Sequence, residues 1–279
     1  MEGRARNGAL REDSRMPPPP VANPALDVQL LMQDEHLCVA AKPAGMPTQP
    51  GVGHQRDTLM NALFALDGRA LERLGHDRDW GLLHRLDRET SGCVIVARTP
   101  AAYDGIRRQF ERRTIGKSYL AIVQGRLPRQ DGSCRQPLAE TLRGGTKVSV
   151  IATAGEPAIT HWRTVAAKGD RAVLSVSIET GRLHQIRAHL AWLGAPVLGD
   201  RVYRSLLPPN TSALKDKSVT LFLHAHSISF DHAATGERTT VTMPVPERFL
   251  VQANAMLGAG WEVRLPQSGS GKGTDERDR

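Results

Sequence analysis

Short apolar runs separated by turns dominate the second half of the chain and restrict the kind of sheet that it can form. Strand-forming runs cover residues 118–123, 159–165, 172–178 and 219–228. Two more, at 28–32 and 37–41, flank the polar turn 33–36, and 93–97 is a short apolar run. Many of these runs lack the long helical crossover that parallel neighbours need. The pattern therefore predicts an α+β fold with a mixed, largely antiparallel sheet and flanking helices.

Three segments place apolar residues at helical spacing, which predicts the flanking helices. Their apolar positions are Met60, Leu63, Phe64 and Leu66, then Tyr103, Ile106 and Phe110, and finally Ile186, Leu190 and Leu193. Asp57 is expected to cap the first helix, and Gly194 is expected to end the third. The second helix carries arginines on its other faces, so it is expected to present a positive surface.

The ends of the chain differ in composition from its centre. Residues 1–26 include a run of four prolines at 17–20, and residues 266–279 are rich in serine, glycine and charge. Sequences of this kind bury too little apolar surface to fold. We expect a disordered N-terminal extension over 1–26, one folded domain over 27–265 and a disordered tail over 266–279.

Cysteine usage and hydropathy favour the cytoplasm. The three cysteines, Cys38, Cys93 and Cys134, form no CxxC pair, so neither a disulfide framework nor a structural zinc site is expected. No apolar run reaches the roughly 20 residues of a membrane helix. No hydrophobic signal segment begins the sequence. We therefore expect a soluble cytoplasmic protein that does not bind a membrane.

The charge of the chain is concentrated in the part that is expected to fold. The sequence has 37 lysine and arginine residues against 29 aspartate and glutamate residues, a formal net charge of +8. Residues 1–26 carry +1 of this excess and residues 266–279 carry none. A positive folded surface attracts polyanions such as nucleic acid. A solvated, arginine-rich surface without a partner is the alternative, and charge alone leaves both open.

One polar loop stands out as a candidate site. Segment 81–92 reads GLLHRLDRETSG and leads directly into the predicted strand 93–97. Such a loop can hold the Asp87 carboxylate against the edge of the sheet, with its charge balanced by Arg85 and Arg88. A structural Asp–Arg clamp or a turn-forming aspartate would leave the same pattern. The loop alone therefore leaves both a catalytic and a structural role open.

The segment HRLDRETSG at 84–92 resembles the signature of the RluA-type pseudouridine synthases, in which the aspartate of RLD is catalytic. Three further segments resemble motifs of this family in the same order along the chain. They are KPAGMP at 42–47, KSYLA at 117–121, and TGRLHQIR at 180–187 with GDRVY at 199–203. The resemblance spans about residues 28–245 and implies the pseudouridine synthase fold for the folded domain.

The family's motifs imply roles for individual residues of this chain. Asp87 would be the catalytic carboxylate, Arg187 its ion-pair partner, and Tyr119 the ring that stacks on a uracil flipped out of the RNA. Arg85 would enter the RNA stack in place of the flipped uridine. A strand tyrosine packed in the core would look the same at position 119.

Basic residues around these motifs are expected to bind RNA. The predicted substrate-binding set is Arg85, Lys42, Arg182 and His84, and the arginines at 107–113 are also expected to contact phosphates. Many relatives carry an N-terminal S4 domain, but residues 1–26 are too few for one, so a stand-alone catalytic domain is expected. That domain would read a stem-loop of ribosomal RNA, transfer RNA or both, as a monomer with no protein partner.

The reaction that the resemblance implies needs no cofactor. Pseudouridine formation breaks the C1′–N1 bond of a uridine, turns the base and rejoins it through C5, without a redox step or a group donor. No phosphate-loop or dinucleotide glycine pattern occurs. The ten histidines lack acidic or cysteine partners at metal-ligand spacing, so no metal is expected. Asp87 would start the reaction by attacking C1′ or by removing the C2′ proton, and both routes stay open.

Two other functions use the same residues. A catalytically inactive relative would hold or remodel RNA, whereas a hydrolase would use Asp87 to promote attack of water on an N-glycosidic bond. Retention of the aspartate, tyrosine and arginine motifs together favours an isomerase over an inactive relative.

Overall fold

The computed structural model describes residues 18–204 and 220–265. The disorder expected for residues 1–17 and 266–279 lies outside the described residues, as does Val219 of the predicted last strand. Residues 18–26 were also expected to be disordered, but here the chain is attached to the first helix. Asn61 Nδ2 donates to the Val21 carbonyl at 2.7 Å, and the Asn23 amide donates to the Asn61 carbonyl at 3.0 Å.

The described ranges contain strands and helices in alternating groups. The strands are β1 (Leu30–Gln33), β2 (Leu37–Lys42), β3 (Ser91–Ala97), β4 (Gly116–Gln124), β5 (Asp131–Cys134), β6 (Leu138–Arg143), β7 (Thr146–Ile151), β8 (Thr160–Lys168), β9 (Arg171–Ile178), β10 (Leu223–Asp231) and β11 (Arg238–Thr242). The α-helices are α1 (Leu59–Leu74), α2 (Pro100–Glu111), α3 (Gln185–Trp192) and α4 (Glu247–Leu257). None of the helices in these ranges has the length and apolar character that crossing a membrane requires.

Nine of these strands form one sheet in the order β1-β2-β3-β10-β4-β9-β8-β5, with β11 also paired to β10. The pairing of β3 with β10 is parallel, and the other pairings in this sheet are antiparallel. Strands β6 and β7 form a separate antiparallel ribbon. The prediction of an α+β fold with a mixed, largely antiparallel sheet is confirmed.

The predicted α1 exists, but its cap and its apolar stripe differ from the prediction. Thr58 caps the helix, because its hydroxyl accepts the Asn61 amide while the Asn61 side chain accepts the Thr58 amide. Asp57 instead contacts His54, with 2.6 Å between Oδ2 and Nδ1. Leu66 is 59% exposed and lies outside the core stripe. The two-sided capping box satisfies more backbone groups than a single Asp57 contact would, and it sets the start of the helix one residue later.

The two faces of the sheet carry different helices. The alternation of β4 directs Tyr119 and Ala121 to the cluster that contains α1 and α3, and directs Leu120 and Ile122 to the cluster that contains Phe249 of α4. The period-two pattern of one strand therefore places the phenol of Tyr119 on the same side of the sheet as the helix that carries the TGRLHQIR motif.

A close backbone approach joins β3 to β10 immediately after the polar loop. Gly92 has φ +141°, and a Cβ atom at this position would overlap Ala225 of β10. Only glycine permits the parallel pair of His224 with Ser91 and of Ala225 with Gly92. The loop that carries Asp87 is thereby anchored to the centre of the sheet.

A buried histidine at this junction makes stability depend on pH. The His224 ring lies between the Ser91 hydroxyl (3.0 Å) and the Met243 carbonyl (3.4 Å) and is fully buried. Burial lowers the pKa of His224 to about 4 from 6.5. The His224 side chain therefore binds a proton near pH 6.5 in the unfolded chain but only near pH 4 in the folded protein. The free energy of unfolding falls as the pH falls through this window.

From pH 7 to pH 5, this histidine is expected to lower the free energy of unfolding by about 2 kcal/mol. Urea unfolding of the wild type and of His224→Gln at both pH values measures the effect. The variant should lose this part of the pH dependence. An equal drop in both proteins would contradict the assignment.

Candidate active site

The Asp87 loop, residues 83–90, is held on both sides of the carboxylate by the segment 42–48. The Thr48 hydroxyl donates to the Leu86 carbonyl at 2.9 Å and accepts the Leu86 amide at 3.2 Å. On the other side, the Gly45 amide donates to the Arg88 carbonyl at 2.8 Å. The loop also closes on itself, because the Thr90 amide donates to the Asp87 carbonyl at 3.0 Å. Asp87 thus stands at a fixed place in an otherwise irregular segment.

The structure brings Asp87 and Arg187 together, although 100 positions separate them in sequence. Arg187 Nη1 donates to Asp87 Oδ2 at 2.9 Å. The rest of the guanidinium is held by Asp200, which accepts from Nε at 2.7 Å and from Nη2 at 3.1 Å. The side chain of Asp200 is fully buried, whereas that of Asp87 is 21% exposed. Asp200 therefore anchors the arginine from inside, and Asp87 is the carboxylate that a bound molecule can meet.

The two carboxylates determine the charge state of the arginine. Burial alone lowers the pKa of the Arg187 guanidinium, but the hydrogen bonds and charges of Asp200 and Asp87 outweigh burial and raise it above its usual value. Arg187 lies in the first turn of α3, where the helix dipole disfavours a cation. The paired carboxylates offset that cost, so the helix end can hold a permanent positive charge against Asp87.

His184 and Tyr203 complete the support of this ion pair. His184 Nε2 lies 3.8 Å from Asp87 Oδ2, and burial lowers the pKa of this histidine. Its backbone is left-handed, with φ +50°, which places the ring toward the Tyr203 hydroxyl at 3.3 Å. Tyr203 donates to the Ser149 carbonyl at 2.9 Å, and its ring centroid lies 5.3 Å from the Arg187 guanidinium carbon. These contacts tie α3 to the β6–β7 ribbon.

Tyr119 and Asp87 line the same cavity, which has a volume of about 80 Å³. Tyr119 is only 7% exposed, and burial, followed by the charge of Asp87, raises the pKa of its phenol above its usual value. Thr90 lines the cavity too, and its buried hydroxyl has no hydrogen-bond partner among the described residues. Ile178 and Leu223 supply apolar wall. The cavity combines an enclosed aromatic ring, a carboxylate and a hydroxyl that remains available for a bound molecule.

Two of the predicted substrate-binding residues lie at the mouth of this cavity. Arg85 is exposed and lines the opening. Arg182 also lines it, but its guanidinium donates to the Pro157 carbonyl at 3.3 Å and contacts Glu156 at 3.2 Å. Gln185, the first residue of α3, fixes the loop that carries Arg182, because its side-chain oxygen accepts the Arg182 amide at 3.1 Å. Arg85 is therefore the freer of the two arginines.

The other two substrate-binding predictions do not match the structure in the way expected. Lys42 is completely buried, and its ammonium donates to the carbonyls of Pro43, Met46 and Arg88 at 2.6 to 3.1 Å. Burial lowers its pKa to about 7. An ammonium enclosed by carbonyls does not reach a phosphate, so Lys42 holds the loops rather than RNA.

His84 accepts the Ile95 amide through Nε2 at 3.0 Å, and burial lowers its pKa to about 3. It therefore offers a neutral ring rather than a cation.

Sequence reasoning left Asp200, His184 and Tyr203 without a role. All three lie in segments that carry the family resemblance, and that was the available signal. Asp200 follows Gly199, whose φ is +78° and where a Cβ would overlap the Thr220 carbonyl.

Within 18–204 and 220–265, no group of three or more histidine, cysteine, aspartate or glutamate residues is arranged to hold a metal ion.

Comparisons with known proteins agree on one family. A family model described as RNA pseudouridylate synthase matches residues 36–192. Similar proteins include ribosomal large subunit pseudouridine synthase D of Nitrosomonas europaea, 35% identical over 224 residues, and that of Pseudomonas aeruginosa, 34% identical over 231 residues. The alignments cover 80% and 81% of this chain, and they span 63% and 70% of the length of those relatives.

Solved structures share the fold. Human RNA Pseudouridylate Synthase Domain Containing 4 superposes with a TM-score of 0.62 at 24% identity, covering 81% of this chain and 91% of the human chain. Human RNA Pseudouridylate Synthase Domain Containing 1 gives the same TM-score at 23% identity, covering 87% and 93%. At this level of identity the likeness concerns the fold, which was the one implied by the sequence motifs.

Proposed function

The chain belongs to the RNA pseudouridylate synthase family, and we propose that it isomerises specific uridines in structured RNA to pseudouridine, with Asp87 as the catalytic residue. The observation that carries this proposal is the contact of Asp87 with the Arg187 guanidinium, at 2.9 Å, in a cavity that Tyr119 also lines. A carboxylate fixed beside a permanent cation and a flat aromatic wall suits a reaction on an enclosed nucleoside.

Arg187 keeps the Asp87 carboxylate ionised when a bound substrate excludes water from the site. A uridine that fills the cavity removes water from Asp87, which disfavours a charged group unless an opposite charge stays beside it. The guanidinium supplies that charge and is itself anchored by Asp200. Asp87 then attacks C1′ or removes the C2′ proton, and either route breaks the C1′–N1 bond. The freed uracil turns and bonds to C1′ through C5, which displaces Asp87 from C1′ in the first route and is accompanied by return of the proton to C2′ in the second. C5 then loses its proton and N1 gains one, so the product is an isomer of uridine.

Tyr119 enters this reaction as a neutral phenol. Its raised pKa keeps the hydroxyl protonated at neutral pH, so it acts by stacking and by hydrogen bonding rather than as a free phenolate. The Thr90 hydroxyl, which no group in the described ranges hydrogen-bonds, is a candidate contact for the polar edge of the uracil. The uridine must leave its helix to reach these groups, which costs a few kcal/mol of stacking. We propose that Arg85, which is exposed at the mouth of the cavity, occupies the space that the uridine vacates.

The RNA of the large ribosomal subunit is the first substrate to test, because the Nitrosomonas and Pseudomonas relatives are named for it. The test uses large-subunit ribosomal RNA transcribed with tritium at C5 of uridine. Release of tritium, with an intact RNA chain and pseudouridine in the digest, is the expected result. Binding without tritium release would indicate an RNA-binding protein that lacks catalysis, and free uracil would indicate a hydrolase.

Replacing Tyr119 by phenylalanine keeps the stacking ring and removes the hydroxyl. We expect Tyr119→Phe to slow pseudouridine formation about 100-fold, the lower range for loss of one positioned hydrogen-bond donor in an enclosed site. RNA affinity should stay within a few-fold, because the ring remains. Single-turnover tritium release, measured at saturating enzyme, separates the chemical step from binding. An unchanged single-turnover rate would remove the hydroxyl from the mechanism.

A further inference from the structure

A second, larger cavity opens beside the catalytic one. Its volume is about 380 Å³, within the range of sites that hold small ligands. Both cavities are lined by Arg85, Tyr119, Ile178, Gly181 and Arg182. Anything that occupies the second cavity therefore touches the same wall as the molecule in the catalytic cavity. An extended ligand that enters one cavity can therefore continue directly into the other.

An aromatic pair and a lysine lie in the part of the second cavity that the first does not share, together with Leu83, Arg113, Glu179 and Thr180. The rings of Phe110 and His84 lie 5.3 Å apart between centroids, and Lys117 Nζ lies 5.8 Å from the centroid of Phe110. Because His84 accepts the Ile95 amide and has a pKa of about 3, it is an uncharged ring at neutral pH. Flat uncharged rings beside a cation match the two parts of a nucleotide, its base and its phosphate.

Lys117 lacks an anionic partner. Its ammonium is 3.5 Å from the Thr180 carbonyl, and no carboxylate in the described part of the chain pairs with it. Glu179, the acidic residue in the cavity wall, contacts His161 at 2.8 Å instead. Burial lowers the pKa of Lys117 to about 8, so the side chain is still mostly charged at neutral pH. A half-buried cation without a counter-charge is unfavourable until an anion arrives.

The position of this ammonium indicates which anion fits. Lys117 Nζ is 3.9 Å from the point where a Cβ of Gly181 would lie, and Gly181 belongs to the wall between the two cavities. The group that crosses such a wall in an RNA chain is the phosphodiester between two nucleotides. Lysine binds phosphate as a point charge and needs no bidentate geometry.

Resting on the proposed function, we propose that the second cavity holds the nucleotide next to the target uridine. The phosphate that joins the two nucleotides lies at Lys117, and the neighbouring base packs on Phe110 and His84. The enzyme thereby grips two consecutive nucleotides, one for chemistry and one for alignment. Lys117 is a binding residue in this arrangement and takes no part in bond breaking.

Filter binding of unmodified large-subunit ribosomal RNA transcript tests the charge at position 117. We expect Lys117→Gln to raise Kd about tenfold, and to make the slope of log Kd against log salt shallower by about 0.7 to 0.9, as loss of one phosphate contact does. Lys117→Arg keeps the charge and should bind within threefold of the wild type. Lys168→Gln, which removes an exposed lysine at the far end of β8, should change Kd less than twofold.

Ethylation interference then locates the phosphate. RNA ethylated at random phosphates is separated into bound and free fractions, and positions that weaken binding are read from each fraction. The wild type should show interference at a phosphate flanking the uridine that is converted to pseudouridine. Lys117→Gln should lose interference at that phosphate and keep it elsewhere.

Three results would overturn the proposal. They are a Kd for Lys117→Gln within twofold of the wild type, equal losses in Lys117→Gln and Lys117→Arg, and an unaltered interference pattern beside the modified uridine. Failure of the proposed function is a different result, namely a wild-type protein that forms no pseudouridine. The affinity comparison remains informative in that case, because it measures RNA binding and not turnover.

Discussion

Asp87→Asn is expected to abolish pseudouridine formation while leaving RNA binding within a few-fold of the wild type. An amide can neither attack C1′ nor accept the C2′ proton, so both chemical routes lose their first step. We expect the single-turnover rate to fall by at least about 10⁴-fold, as when a central catalytic group is removed. Tritium release measures the rate, and filter binding on the same RNA measures the affinity.

The shape of the site is retained in this variant. Asparagine has nearly the volume of aspartate, and Arg187 keeps its two contacts with Asp200. Asp131→Asn is a matched control, because it removes the same charge from the exposed strand β5 and should leave the rate unchanged. A turnover by Asp87→Asn within tenfold of the wild type would mean that another group starts the reaction, and it would contradict the role proposed for Asp87.

The fold was predictable where burial leaves a pattern in the chain. Strand β4 is buried over most of its length and β9 over half of it, and they appear as apolar runs at 118–123 and 172–178. Strands β6 and β11 were missed, because most of their residues are exposed or half-buried and no apolar run marks them. A strand that is held by backbone pairing alone has little signature in its side chains.

The site was predictable at the positions that motifs mark, and less so where a tertiary contact defines the role. The positions of Asp87 and Arg187 followed from two motifs, and the structure brings those side chains together. The role of Asp200 depends on a guanidinium 13 positions earlier in the chain, and nothing in the local sequence specifies that contact. Lys42 shows the reverse case, because its charge suggested a phosphate contact, whereas its complete burial could be seen only in the fold.

These differences share one physical origin. The identity of a side chain determines its charge and its hydrogen-bonding capacity, but the packing of distant segments determines what those groups meet. The 42–48 segment and the 83–90 loop lie far apart in sequence and exchange hydrogen bonds through Thr48, Gly45 and Lys42. The position of the Asp87 carboxylate is therefore a property of two loops together. It depends in part on the buried side chains of Lys42 and Thr48, which hydrogen-bond to backbone atoms of the 83–90 loop.

Asp200→Ala is expected to destabilise the protein strongly, because this fully buried carboxylate satisfies four donors at once. It accepts from Nε and Nη2 of Arg187 at 2.7 and 3.1 Å, and from the amides of Val202 and Tyr203 at 2.9 and 3.0 Å. Alanine leaves the Arg187 guanidinium buried with Asp87 as its one remaining carboxylate partner among the described residues. We expect the free energy of unfolding to fall by about 3 to 5 kcal/mol.

Urea unfolding at pH 7 measures this loss, and Glu140→Ala is its control. Glu140 pairs with Lys147 at 3.3 Å on the exposed β6–β7 ribbon, where breaking an ion pair costs at most about 1 kcal/mol. Asp200→Asn should fall between the two, since its side-chain oxygen can still accept the amides of Val202 and Tyr203. Equal losses in Asp200→Ala and Glu140→Ala would mean that Arg187 is held by something other than Asp200. In that case Asp200 would not be the group that supports the ion pair of Asp87 with Arg187.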